Sequence, residues 1–406
     1  MITILCIIII LFVIALFLRR SDNKKNISKK TDKKLSYDVK VIKELSTDKN
    51  FLISPYSIKV ALGMLRDGST GNSNKQISDL IGNDDISLIE SSEKVSNANG
   101  LFIKDQYKSL VEENYINTLS NNYSSEVIFD KFEKPDVLNN WVNEKTFGMI
   151  DKAVEEVPSD FVLGLVNAIA IDVSWNIPFE CDKTSSEEFI RNDNSKINVE
   201  MMKKTYSSSQ YKYFIYDDFK GVVLPYKKEE DLSLEFVAIL PNNDVNSFIN
   251  NLTDSDLERT YKNITVVGEK ELYVELPRFS YSYEVEDLIE SLKSLGVKDV
   301  FDSSNASLYN IITSENLSKN NLGNIYVDTA VHKAVIEINE KGTKAAAITY
   351  FGMKNVTAIE EDKKIVSIEF NKPFVYIIRD SKTHEILFMG AVYEPNKWNG
   401  STCSDS

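Results

Sequence analysis

Histidine and cysteine are scarce: the 406 residues include two histidines and three cysteines. Cys6, Cys181 and Cys403 are too few and too scattered for a disulfide framework, although a single Cys181–Cys403 bond is left open. No Cys or His pair has the short spacing of a structural zinc site, so no metal or other cofactor is expected. A hydrolase of the Ser/His/Asp or Cys/His kind would need His332 or His384 beside a nucleophile. After residue 18 there is no second long apolar run, and no basic residue precedes the first.

That first run covers residues 2–18 and is broken only by Thr3, the length of a short membrane-spanning helix. No A-x-A-like cleavage site follows, because Ala15 leads directly into Leu16, Phe17, Leu18 and Arg19. An uncleaved N-terminal anchor is therefore expected over a removed signal peptide. Residues 19–34 carry eight Lys or Arg against Asp22 and Asp32, a charge of +6. With a net charge of -14 for the whole chain, the remainder carries -20. Such an acidic body repels nucleic acid, and the lysine-rich stretch has the composition of a solvated linker. Its charge, taken by the positive-inside rule, would hold the body on the cytoplasmic side.

From residue 35 to 398 one large domain is expected, followed by a short tail at 399–406. The first half carries helical spacing: Val39, Ile42 and Leu45; Ile58, Leu62 and Leu65 after Pro55; Val137, Trp141 and Thr146. Runs rich in branched and aromatic residues follow at 164–174, 221–226, 232–241, 272–279, 330–337, 374–379 and 386–392. Helices first and long strands later predict an α+β protein with mostly antiparallel sheets.

More than thirty residues separate the strand-like run ending near Ile338 from Phe370, a length that marks a functional or disordered segment. Composition favours an alanine-rich helix ending near Gly352. The two-residue alternation instead suits a strand, with Thr343, Ala345, Ala347, Thr349, Phe351 and Met353 on one face. Small residues on that face are what a segment needs to enter an existing sheet without clash or a buried unpaired charge.

The motifs decide between these readings. Glu340-Lys341-Gly342-Thr343-Lys344-Ala345-Ala346-Ala347 resembles the reactive-centre-loop hinge of the serpins. It follows His332-Lys333-Ala334 and precedes Phe370-Asn371-Lys372-Pro373-Phe374 and Phe388-Met389-Gly390 in serpin order. Ile53-Ser54-Pro55-Tyr56-Ser57-Ile58, Asn167-Ala168-Ile169, Trp175, Leu224-Pro225-Tyr226 and Leu276-Pro277-Arg278-Phe279 continue the likeness, which spans about residues 36–396. Asn97-Ala98-Asn99 and Asn140-Trp141-Val142 are similar to the family's helical landmarks.

The resemblance implies a three-sheet α+β fold with about eight or nine helices and an exposed reactive-centre loop. It also implies a suicide inhibitor of serine proteases rather than an enzyme, acting as a monomer. Ser54, Ser57, Asn167 and His332 match the shutter beneath the central sheet, and Trp175 the breach at its top. Family spacing from Gly342 places the scissile bond at Val356–Thr357, for an elastase-like or subtilisin-like protease. A longer loop admits Lys354-Asn355 for a trypsin-like protease, or Met353-Lys354 for a chymotrypsin-like one.

Three departures stand out: Lys344 replaces a commonly acidic residue, Phe351 would bring a bulky ring to the inward face and slow the last part of insertion, and Asn167-Ala168-Ile169-Ala170-Ile171-Asp172 lacks the aromatic and basic residues usual after the Asn-Ala pair. The family's targets are mostly extracellular, which favours a cell-surface tether over the cytoplasmic side. A non-inhibitory binder or chaperone, or an inhibitor of cysteine proteases, is the alternative within the family. A membrane-anchored enzyme is a third reading, without a catalytic constellation to support it.

Overall fold

A computed structural model describes residues 35–159, 161–268, 270–343 and 364–396. The anchor and linker at 1–34, the tail at 399–406, and Lys344, Ala345, Ala346, Ala347, Met353, Lys354, Asn355, Val356 and Thr357 lie outside them. Among the described residues no helix is long and apolar enough to cross a membrane. Cys181 is disulfide-bonded, and both other cysteines lie outside the described residues.

The expected helices form at Tyr37–Leu45, Pro55–Gly68 and Asp136–Lys145, three of nine α-helices among the described residues. Ser54 starts the second: its side chain accepts a hydrogen bond from the Ser57 amide, and Pro55 occupies the first turn, where a missing N–H costs nothing. The centre of the molecule is a seven-stranded sheet in the order Phe51–Ile53, Ile386–Val392, Phe374–Asp380, Leu234–Pro241, Phe219–Pro225, Lys212–Ile215, Thr265–Val266. Three of these strands, Leu234–Pro241, Phe374–Asp380 and Ile386–Val392, are buried at every position, which is why they are continuous apolar runs without alternation. The one ion pair inside them, Arg379 with Glu235 at 2.7 Å, joins register partners, and Thr260 takes up the remaining guanidinium donors.

A second sheet orders Lys364–Glu369, Lys270–Pro277, Lys196–Tyr206 and Ser185–Ile190. Two more hydrogen-bonded groups complete the fold. One has three strands: Glu126–Asp130, Val95–Lys104 and Leu163–Ile171. The other has four: Phe279–Glu284, Lys333–Ile338, Gly342–Thr343 and Val173–Ser174. The expected count of three sheets becomes four ladders because the chain running from Leu163 to Ser174 belongs to both, broken only at Asp172. Gly342–Thr343 joins these two groups at one end, and among the described residues no pairing joins Leu163–Ile171 to Lys333–Ile338 below that point. Asn97, Ala98 and Asn99 correct the sequence reading: they sit in the strand Val95–Lys104, not in a helix. Their alternation was hidden because both faces of that strand are covered, with Phe102 packed edge-on to Trp141 of the helix Asp136–Lys145 at 5.4 Å.

The Ser54 amide donates to His332 Nε2 at 3.0 Å. His332 is 6% exposed. An acceptor Nε2 requires the neutral ring, and burial pushes the pKa down from 6.5 to about 4. Between those values the unfolded chain binds the proton and the folded one does not, so the folded state weakens as pH falls through that window. The full span is worth on the order of 3 kcal/mol. Urea midpoints followed by tryptophan fluorescence should fall steadily from pH 6.5 to pH 4. In His332→Gln, which has no proton to gain, this contribution should vanish; an unchanged slope would show that His332 does not carry it.

Candidate functional site

The two groups of strands are joined at one end by the hinge itself. Gly342 and Thr343 pair with Ser174 and Val173 on one side, and Thr343 with Ile338 on the other. A tight turn brings them there: Asn339 Oδ1 accepts from the amides of Lys341 at 2.9 Å and Gly342 at 3.3 Å, while the Asn339 amide donates to the Gly342 carbonyl at 3.0 Å. Close approach dictates the glycine, since a Cβ at 342 would stand 2.1 Å from the Val173 carbonyl oxygen.

Glu340 anchors the turn. It is 2% exposed and is held by the Arg278 guanidinium, with Nε at 2.7 and 2.8 Å from its two oxygens, and by the Thr184 hydroxyl. The amides of Trp175 and Phe179 donate to the Lys341 and Glu340 carbonyls, each at 2.9 Å. Removing one partner of a buried, hydrogen-bonded ion pair strands the other charge, so Arg278 and Glu340 act as one unit.

Trp175 lies directly beneath this turn, 2% exposed, with Nε1 donating to the Asn339 carbonyl at 2.8 Å. Its ring stacks on Tyr226 at 4.6 Å with an interplanar angle of 7°, and Phe179 and Phe236 meet it edge-on. Tyr226 then reaches the hinge: its hydroxyl and that of Thr343 are 2.5 Å apart. Burial pushes the Tyr226 phenol far above its ordinary range, so both groups stay neutral.

Below Thr343 no strand pairing joins the two sides among the described residues. A cavity of about 200 Å³ lies there, lined by Leu165, Asn167, Ala334, His332 and the underlying Ser54 and Ile58. Of the four candidate shutter residues, Ser54, Ser57 and His332 form one connected group. The contact to His332 comes from the Ser54 backbone while the Ser54 hydroxyl caps the helix, so it is no nucleophile–base pair.

Asn167 faces the cavity too but belongs to a separate amide ladder. Its Nδ2 donates to Asn97 Oδ1 at 3.1 Å and Asn99 Oδ1 at 2.7 Å. The ladder fixes which way each amide points, because Asn99 Nδ2 donates to the Tyr123 carbonyl and Asn97 Nδ2 to the Tyr56 hydroxyl. Asn167 Oδ1 has no protein hydrogen-bond partner among the described residues. His384, the other histidine, is half-buried and stacked on Tyr261 at 3.8 Å.

Arg278, Thr184, Asn339 and Tyr226 were not singled out as site residues from sequence. A basic residue between Pro277 and Phe279 in a strand-like run was the one available signal.

A family profile described as Serpin (serine protease inhibitor) matches residues 34–395. An "Uncharacterized serpin-like protein" of Methanosarcina acetivorans is 30% identical over 368 residues, covering 85% of this chain and 82% of the relative. Neuroserpin of Homo sapiens is 27% identical, covering 87% and 88%. Among solved structures, the thermophilic serpin tengpin in its native state superposes with a TM-score of 0.75 at 27% identity, covering 88% of this chain and 92% of its own. The profile, the relatives and a central sheet joined at one end by its own hinge agree: this chain belongs to the serpin family.

Proposed function

We propose that the protein is a suicide inhibitor of serine proteases. The observation that carries this reading is a cavity between the strands Leu163–Ile171 and Lys333–Ile338, whose facing edges have no strand partner below Thr343 among the described residues, under a hinge that already occupies the first rung. Strand edges with unmet hydrogen-bonding capacity are templates for another strand. The segment that follows Thr343 begins with the small residues Ala345, Ala347 and Thr349 on the face that would enter, before the bulkier Phe351 and Met353.

Carrying the observed registers onward supports this. The next rung would set Lys344 between Asp172 and Glu337, a cation flanked by two carboxylates across the strands. Ala345 and Ala347 would then face inward beside Ile171 and Ile336, and Ile169 and Ala334. Thr349 would fall level with both Asn167 and His332.

In this mechanism the protease serine attacks the Val356 carbonyl, the bond to Thr357 breaks, and the Thr357 amine leaves. The acyl-linked strand then enters between the two strands, and an insertion from Thr343 to Val356 would carry the protease at least ~45 Å. Insertion must outrun hydrolysis of the acyl bond, so the outcome is a kinetic trap. An elastase-like or subtilisin-like target fits Val356; a trypsin-like one would cut at Lys354, and a chymotrypsin-like one at Met353. Residues 2–18 would tether the inhibitor at the cell surface, with 19–34 as its stalk.

Incubation of the full chain with elastase-like, subtilisin-like and trypsin-like proteases should yield a complex that survives boiling in detergent, with a released fragment beginning at Thr357. Clean cleavage by every protease, without a complex and without gain in thermal stability, would refute inhibition. Thr343→Arg would bury an unpaired guanidinium at a position 2% exposed, and should convert the inhibitor to a substrate with loss of the complex band. Lys344→Glu would gather three carboxylates on one rung and should raise the number of inhibitor molecules consumed per protease trapped.

A further inference from the structure

The hinge seat contains one contact that ion pairing and close packing do not require. Tyr226 and Thr343 are 4% and 2% exposed, and among the described residues neither hydroxyl has another partner. One hydroxyl donates and the other accepts, so each is satisfied while the hinge is seated. If Thr343 leaves, its hydroxyl gains water, but that of Tyr226 stays in place: its ring is fixed by the stack on Trp175, and its backbone pairs with Trp175 and Leu234. Leaving such a buried hydroxyl unpaired is unfavourable, so the asymmetry favours the seated hinge.

We propose that Tyr226 is the positioning residue of the hinge: its hydroxyl holds Thr343 in the first rung of the sheet. The ring provides the floor and the hydroxyl identifies the residue above it. A valine at 343 would match threonine in shape yet leave the phenol unpartnered, whereas a serine would restore the bond. The consequence for protease trapping rests on the inhibitory reading, because a loosely seated hinge starts each insertion later and allows more acyl-enzyme to hydrolyse.

Three amides report on the seat directly, those of Asn339, Trp175 and Phe179, which donate to the Gly342, Lys341 and Glu340 carbonyls. Hydrogen–deuterium exchange read by mass spectrometry on the full chain should show them exchanging about 10-fold faster in Tyr226→Phe, the scale of one lost buried hydrogen bond. Thr343→Val should do the same, Thr343→Ser should remain within about 2-fold of the parent, and the double variant should be no faster than either single one. With a protease that the parent traps, Tyr226→Phe should also raise the stoichiometry of inhibition.

Unchanged exchange in both single variants, or effects that multiply in the double variant, would overturn the proposal. If Tyr226→Phe fails to fold, the contrast between Thr343→Val and Thr343→Ser decides alone: equal exchange in the two would overturn it. If the parent traps no protease while the exchange pattern holds, the inhibitory reading falls and the seat stands.

Discussion

The architecture hangs on a short backbone ladder, the one at Gly342 and Thr343. The strands Leu163–Ile171 and Lys333–Ile338 are each paired to a neighbour on their outer edge, and among the described residues Gly342 and Thr343 bridge between them at one end, pairing with Ile338 and with Val173–Ser174. A sheet prefers its ladders complete. Among the described residues the ladder stops at Thr343, and under the proposed inhibition its completion by the following segment would release free energy.

Beside this ladder the structure is densely packed. The fully buried strands of the seven-stranded sheet, the Arg379–Glu235 pair and the aromatic stack of Trp175 on Tyr226 form its base. Glu340 and Arg278 pin the point from which the loop departs.

The fold was legible in the sequence wherever a segment is covered on one face or wholly buried between layers. Val39, Ile42 and Leu45 show helical spacing because one side of Tyr37–Leu45 is buried, and residues 374–379 and 386–392 are apolar throughout because both faces are covered. Asn97 and Asn99 misled because their polarity serves an amide ladder between strands, a role that periodicity cannot express. Family motifs located Ser54, His332, Trp175 and the hinge. They did not separate Asn167 from the Ser54–His332 group, nor pair Tyr226 with Thr343 across 117 residues of chain. Such contacts are set by register, and register follows from which strands meet.

Gly342 carries a lesson about how such a protein can change over time. A side chain there would strike the Val173 carbonyl, a fixed part of the ladder, so drift at this position is closed. Under the proposed mechanism the residues that meet a protease are those beside the scissile bond at Val356 and Thr357, not those of the seat. Target choice and the seat would then answer to different side chains. A lineage using the scaffold in this way would be free to follow a changing set of proteases by altering a few loop residues, while Gly342 and its contacts stay fixed.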